Sequence, residues 1–201
     1  MEKKILVTIG REYGSGGRTL GKALAEALGI AYYDKELITE TARESGMDEE
    51  ILKEFDEKNN NFLFSYSVGG DYTNDLPLDS KVFLAQFETI KKIADRQSAL
   101  FVGRCSDYIL REYPDCISVF VYADKEARIQ KVMERDGMAR KEAEKHMDKI
   151  DKKRMNYYEY YTGRDWRDMH NYDICIKTSE IDTESAVALI ETVMRCKGVI
   201  D

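Results

Sequence analysis

The stretch from Ile5 to Asp34, ILVTIGREYGSGGRTLGKALAEALGIAYYD, leaves this chain few architectures to adopt. Ile5-Leu6-Val7-Thr8-Ile9 is a short apolar run rich in β-branched residues, the pattern of a strand buried on both faces. Gly10, Gly14, Gly16 and Gly17 follow at once, with Arg11 and Arg18 among them. Leu20, Ala23, Leu24, Ala27 and Leu28 then fall on one helical stripe, and Gly29 stands where a C-capping glycine is expected.

Strand, glycine-rich turn and helix together lay out a phosphate cradle. Glycine lets backbone N–H groups turn inward on an anion, and the helix N-terminus adds its own unsatisfied donors. The plainer alternative is a tight βα turn that needs glycine for geometry alone. The usual phosphate-loop pattern, G-x-x-x-x-G-K-[ST], is not met. With Gly16 as the last loop glycine, Gly17 occupies the lysine position; with Gly17 as the last, Arg18-Thr19 stand in for Lys-Thr. Either way the lysine is missing, and Arg18 is the first substitute cation, with Arg11 second. Arginine is planar and grips phosphate bidentately, so the exchange is not silent.

At 201 residues the chain is long enough for one domain with a full core, and its net charge of −7 argues against a nucleic-acid polymer as partner. Cys105, Cys116, Cys175 and Cys196 show no C-x-x-C spacing, and with only His146 and His170 a structural zinc site is not expected. Free thiols fit a cytoplasmic protein. The first residues lead into a strand without a signal-peptide pattern, and no apolar run reaches membrane-spanning length.

Further along, strands are expected over 30–33, 98–102, 117–123 and 172–176. Helices are expected over 35–44, 48–57, 81–97, 106–112, 124–135, 139–161 and 183–194, and Asp124 is a candidate N-cap. Residues 59–80 lack clear periodicity and read either as a mobile flap over an acceptor or as a surface excursion. Five strands alternating with helices imply a five-stranded parallel sheet covered on both faces. Ligands in such sheets bind at the carboxyl ends of the strands. That rule gathers the glycine loop, Asp34, Gly103-Arg104 and Ala123-Asp124 on one rim.

Each rim residue has two readings. Arg104, directly after a buried strand, either forks onto a phosphate or makes a surface salt bridge. Asp34 either accepts from a substrate or caps the helix beginning at Lys35. Lys153, Arg154 and Tyr157 lie close around one helix, and Arg128, Arg154 and Arg164 are candidate lid cations for a phosphoryl group in transfer; the alternative is a solvated face. Tyr157, Tyr158, Tyr160, Tyr161 and Trp166 either clamp a base or pack a helix hinge.

At these residues the chain resembles bacterial cytidylate kinase and, more closely, the cytidylate kinase-like proteins of the P-loop nucleoside monophosphate kinase group. The resemblance runs nearly end to end. It is carried by Thr19-Leu20, Lys22 to Leu28, Tyr33-Asp34, Phe101-Val102-Gly103-Arg104, Pro114-Asp115, Val119-Phe120-Val121 and Ala123 to Arg128. Gly-Arg-Glu-Tyr-Gly-Ser-Gly-Gly and Asp-Lys-Lys-Arg-x-Asn-Tyr-Tyr look typical of the kinase-like branch. The interval from Gly17 to Asp34 matches without a gap, so Gly17 takes the family lysine position. The aspartate of the family Gly-Arg-Asp segment is Cys105 here, with Asp107 one short turn later.

The resemblance implies P-loop kinase topology, a three-layer α/β/α sandwich with strand order 2-3-1-4-5, with a core over 1–34 and 81–201, an acceptor-side insert over 35–80 and a lid over about 138–168. It implies that Gly14, Ser15, Gly16, Gly17, Arg18 and Thr19 hold the phosphates of ATP, with Ser15 or Thr19 touching Mg2+. Asp34, Arg104, Asp107 and Asp151 would bind the acceptor, and Arg18, Arg104, Arg128, Lys153 and Arg154 would serve the transfer. The expected activity is transfer of the γ-phosphoryl group of ATP to a small acceptor, CMP or dCMP. Alternatives are a kinase of another small metabolite, or a nucleotide-binding sensor that has lost catalysis with its loop lysine.

Overall fold

The computed structural model describes residues 4–58 and 77–201. Most of the segment read as flap or excursion, 59–76, lies outside the described residues. Five strands form one parallel sheet: β1 (Leu6–Arg11), β2 (Ala31–Tyr33), β3 (Ala99–Val102), β4 (Cys116–Tyr122) and β5 (Ile174–Lys177). Their order is β2-β3-β1-β4-β5, as expected, with β1 at the centre. β1 pairs with β3 from Leu6↔Ala99 and with β4 from Leu6↔Cys116, so the three strands start level.

Alternation along the strands divides two cores. Val7 and Ile9 of β1 and Leu100 and Val102 of β3 face α1 (Gly17–Leu28) and α8 (Thr183–Cys196), where they meet Leu20, Leu24, Ala186 and Ile190. Leu6, Ala99 and Phe101 face the other side, against α2 (Glu36–Ser45) and α4 (Leu78–Arg96) through Leu37, Ile90 and Ile93. Leu24 is fully buried, so truncating it to alanine costs about 2–5 kcal/mol. A smaller cluster of Ile38, Leu52 and Val82 ties α3 (Glu49–Lys58) to α2 and α4.

The remaining helices cover the carboxyl ends of the strands. α5 (Ser106–Ile109) follows β3; α6 (Lys125–Asp136) follows β4; α7 (Arg140–Thr162) is 23 residues long and crosses the rim. Ile129 and Val132 of α6 pack against Ala143 and Met147 of α7, with Tyr13 of the glycine loop half-buried beside them. Helix boundaries follow the expected ones within a few residues, and Gly29, Gly46 and Gly137 terminate α1, α2 and α6 in left-handed conformation. Asp124 occupies the N-cap of α6, but its carboxylate bonds Ser179 and pairs with Lys177 instead of capping. Among the described residues, no helix is long and apolar enough to cross a membrane.

Candidate functional site

The loop after β1 is held from behind by buried charge. Arg128 on α6 pairs with Glu12 at 2.8 Å and with Asp151 of α7, and its Nε donates to the Tyr13 carbonyl at 2.8 Å. Asp151 accepts from the Tyr13 amide at 2.7 Å, and Arg167 closes on the other oxygen of Glu12 at 2.9 Å. A Cβ on Gly14 would sit 2.9 Å from the Arg128 carbonyl, so the loop packs directly on the α6 backbone. Gly14 and Gly16 are both left-handed, at φ 78° and 83°, a conformation that β-carbon sterics all but reserve for glycine.

This geometry leaves donors open. Among the described residues, nothing accepts from the amides of Gly14, Gly16, Gly17, Arg18 and Thr19. Successive unsatisfied N–H groups at a helix N-terminus form an anion-binding concavity. Lys131 of α6 reaches toward it, with Nζ 3.6 Å from where a Cβ on Gly16 would lie.

Beside the loop, a cleft of about 520 Å³ opens at the ends of β1, β2 and β3 beneath α7. Arg11, Arg18, Arg104, Lys149, Lys153 and Arg154 line it, against the carboxylates of Asp34 and Asp107. Such an excess of cations around so few carboxylates favours a polyanionic ligand.

Arg18 binds Asp34 at 2.6 Å while Arg11 approaches the same carboxylate at 3.6 Å. Asp34 therefore holds cations at the rim. The helix it might have capped begins after Lys35 with no side-chain cap. Arg154 reaches from α7 to donate to the Arg11 carbonyl at 2.8 Å; burial is the main cause lowering its pKa to about 10, with Asp151 pulling the other way. Burial, reinforced by Lys149, also lowers Lys153.

β3 leaves the sheet through Gly103, Arg104 and Cys105, all with positive φ (76°, 58° and 56°). Left-handed geometry costs a non-glycine residue about 1–2 kcal/mol, and such strain concentrates at functional sites. The turn puts both Arg104 and Cys105 on the cleft. Asp107 follows, accepting from Tyr158 Oη at 2.6 Å; burial pushes its carboxyl up. Tyr157, Tyr158 and Trp166 form an aromatic wall. The cluster also packs, as Tyr161 stacks on Phe83 at 3.9 Å and Trp166 meets Phe120 edge-on at 5.3 Å.

Several expected site residues stand elsewhere. Arg128 and Asp151, read as catalytic and acceptor-binding, are both buried in the network behind the loop and do not line the cleft. Arg164 lies over the Tyr108 ring, outside the cleft lining. Ser15 is fully buried, with its hydroxyl on the Glu12 carbonyl at 2.9 Å, and Thr19 opens on a neighbouring depression with Lys22 and Tyr32. Neither hydroxyl presents a metal ligand to the cleft. Among the described residues, no group of three or more histidine, cysteine or carboxylate side chains could hold a metal. These residues do not by themselves make up a site for magnesium, a hard cation that takes oxygen ligands.

The sequence reading passed over His146 and Lys149, which line the cleft. Their signal was present: His146, Lys149, Lys153 and Tyr157 recur at three- and four-residue spacing along one face of α7.

A family model described as the cytidylate kinase-like family matches residues 6–180. The cytidylate kinase of Methanopyrus kandleri is 24% identical over 188 residues, covering 93% of this chain and 91% of its own. The crystal structure of an uncharacterized protein from Eubacterium ventriosum is 32% identical, covers 96% of this chain and 99% of that one, and superposes with a TM-score of 0.72. A shikimate kinase from Bacteroides thetaiotaomicron, at 12% identity, TM-score 0.56 and coverage of 95% and 98%, shares the fold alone.

Proposed function

The chain belongs to the cytidylate kinase-like family, and from that membership we propose that it moves the γ-phosphoryl group of ATP to a small acceptor, with CMP or dCMP as the first candidate. The observation that carries the reading is the set of open amides at Gly14 and from Gly16 to Thr19, beside a cleft lined by cations. The amides take the phosphates of the nucleotide, and Arg104 aligns the acceptor. Lys153 and Arg154 meet the charge spread over the transferring group from the α7 side. A magnesium ion, arriving with ATP, neutralises part of the polyphosphate charge.

With a nucleoside monophosphate as acceptor, one of its phosphate oxygens bonds to the γ-phosphorus as the bond to the β–γ bridging oxygen breaks. The electron pair of that bond leaves on ADP. The attacking oxygen is already anionic, so no general base is needed, and positioning with electrostatics supplies the catalysis. In this scheme one domain spans 1–201, with 35–80 on the acceptor side and about 138–168 as the lid. The free thiols suit a cytoplasmic setting.

A second acceptor class is motivated by Cys105. It stands in place of the family aspartate, is buried, and its thiol is pushed well up by burial. ADP release measured with ATP against CMP, dCMP, AMP, UMP and a set of hydroxylated metabolites separates the readings. A clear preference for CMP or dCMP supports the first. CMP no better than AMP or UMP removes the cytidylate assignment, and ATP binding by calorimetry with no turnover on any acceptor assigns the chain to nucleotide sensing.

A further inference from the structure

We propose that Arg11, at the end of β1, supplies the phosphate-facing cation that a lysine at position 17 would otherwise bring, and that Arg11 and Gly17 exclude each other's alternatives. This rests on the reading of the glycine loop as the site of the ATP phosphates.

The exclusion is steric and local. A Cβ built on Gly17 lies 2.6 Å from Arg11 Cβ and 3.0 Å from its Cγ, closer than real carbon contacts allow. Those atoms sit next to the Arg11 main chain, which is fixed in the central strand, so they cannot swing aside as a side-chain tip can. Gly17 opens α1 with φ outside the left-handed region, so its backbone does not itself demand glycine. The demand comes from Arg11. Any side chain at 17, lysine included, collides with the root of the arginine. The missing lysine and the arginine at the first loop position are therefore one change.

The far end of Arg11 is placed for the work. Its side chain is 14% exposed and lines the cleft. One guanidinium nitrogen fills the space that a Cβ on Gly103 would take, so the group rests against the turn that presents Arg104. Its only carboxylate partner among the described residues, Asp34, is 3.6 Å away and already bound by Arg18 at 2.6 Å. Its Nε is buried without a hydrogen-bond partner. Burial, and after it Arg154, lower the Arg11 pKa, but a guanidinium starts so high that it keeps its charge, and one left under-bonded between the loop and the acceptor side is completed by phosphate oxygens. Arg18, the first substitute in the sequence reading, is the more exposed of the two, at 48%, and the more fully engaged by Asp34.

The test is a double-mutant cycle on ATP affinity and on ADP release: Arg11→Gly, Gly17→Lys and the combination. Each single change is expected to weaken ATP binding by more than about tenfold, the size of a lost charge-assisted bond, and the double variant to recover most of that loss. A double variant no better than the sum of the singles, or an Arg11→Gly variant with wild-type affinity, overturns the proposal. Gly17→Ala gives a readout that needs no ligand. Alanine normally stabilises a helix position over glycine; here it is expected to lower the melting temperature in the wild-type background and raise it in the Arg11→Gly background. Stabilisation in both backgrounds overturns the exclusion. If the wild-type protein binds no ATP, the loop reading itself fails and this proposal falls with it. If it binds ATP and only the Arg11 effects are missing, the loop reading stands and the Arg11 assignment alone is wrong.

Discussion

Arg154 on α7 donates from Nη1 to the main-chain oxygen of Arg11, 2.8 Å away, and so fixes the crossing helix to the last residue of the central strand. The same guanidinium lines the cleft, so one side chain both orders the strand end and contributes charge. Arg154→Ala should lower kcat/KM for ADP release by more than about tenfold, or roughly 1.4 kcal/mol in the barrier. Arg154→Lys should recover only part of this, because an ammonium lacks the planar fork that can serve a carbonyl and a phosphate together. Full recovery with lysine would reduce the role to charge alone.

Arg128 should behave differently. With its side chain 6% exposed and paired to Glu12 and Asp151, it is structural support for the loop. Arg128→Ala removes the buried cation shared by two carboxylates, leaving Glu12 to Arg167 and Asp151 to the Tyr13 amide, and should cost about 3 kcal/mol in urea unfolding. Combining it with Glu12→Gln and Asp151→Asn should return part of that loss. A variant with wild-type stability and impaired transfer would instead put Arg128 at the reacting group.

Gly103→Ala tests the seating of the Arg11 guanidinium. The glycine has φ 76°, and an added methyl would occupy the guanidinium's place. Strain and displacement should together lower stability by about 1–3 kcal/mol and weaken ATP binding measured by calorimetry. Unchanged ATP affinity would show that the guanidinium need not rest there.

Asp107 gives a pH dependence with a defined sign. Burial raises its carboxyl above the ordinary value of 3.8, outweighing the hydrogen bond from Tyr158 that acts to lower it. The folded state therefore holds this proton more tightly than the unfolded chain. The resulting stabilisation is complete below 3.8 and is lost as pH rises through the folded value. Asp107→Asn cannot ionise, so its stability relative to wild type should improve as pH rises across that window, measured by denaturant unfolding at a series of pH values. A constant difference across the series would show that Asp107 carries no such linkage.

The strands were legible because period and composition agree in them: Val7 and Ile9 on one face, Leu6 and Phe101 on the other, all buried. The rim was legible too, since a parallel sheet places Asp34 and Arg104 after their strands whatever the side chains do. Orientation was not. Arg128 and Lys153 read alike as cations on helices near the lid, yet one is buried behind the loop and the other faces the cleft, because the acids that claim Arg128 lie far off in sequence at Glu12 and Asp151. Nor could the run of positive φ at Arg104 and Cys105 be read, since neither residue type signals it. The relation between Arg11 and Gly17 was hidden for a similar reason: spacing shows which residue is missing, and only the approach of strand to helix shows what fills its room.

Asp151 sits mid-way along α7 and grips both the Tyr13 amide and Arg128. Lifting α7 bodily off the rim would tear a buried carboxylate from its partners and unseat the glycine loop at the same moment. The loop's shape and the seat of the crossing helix are thus a single property, and any rearrangement of α7 that spares the loop has to leave this clamp closed.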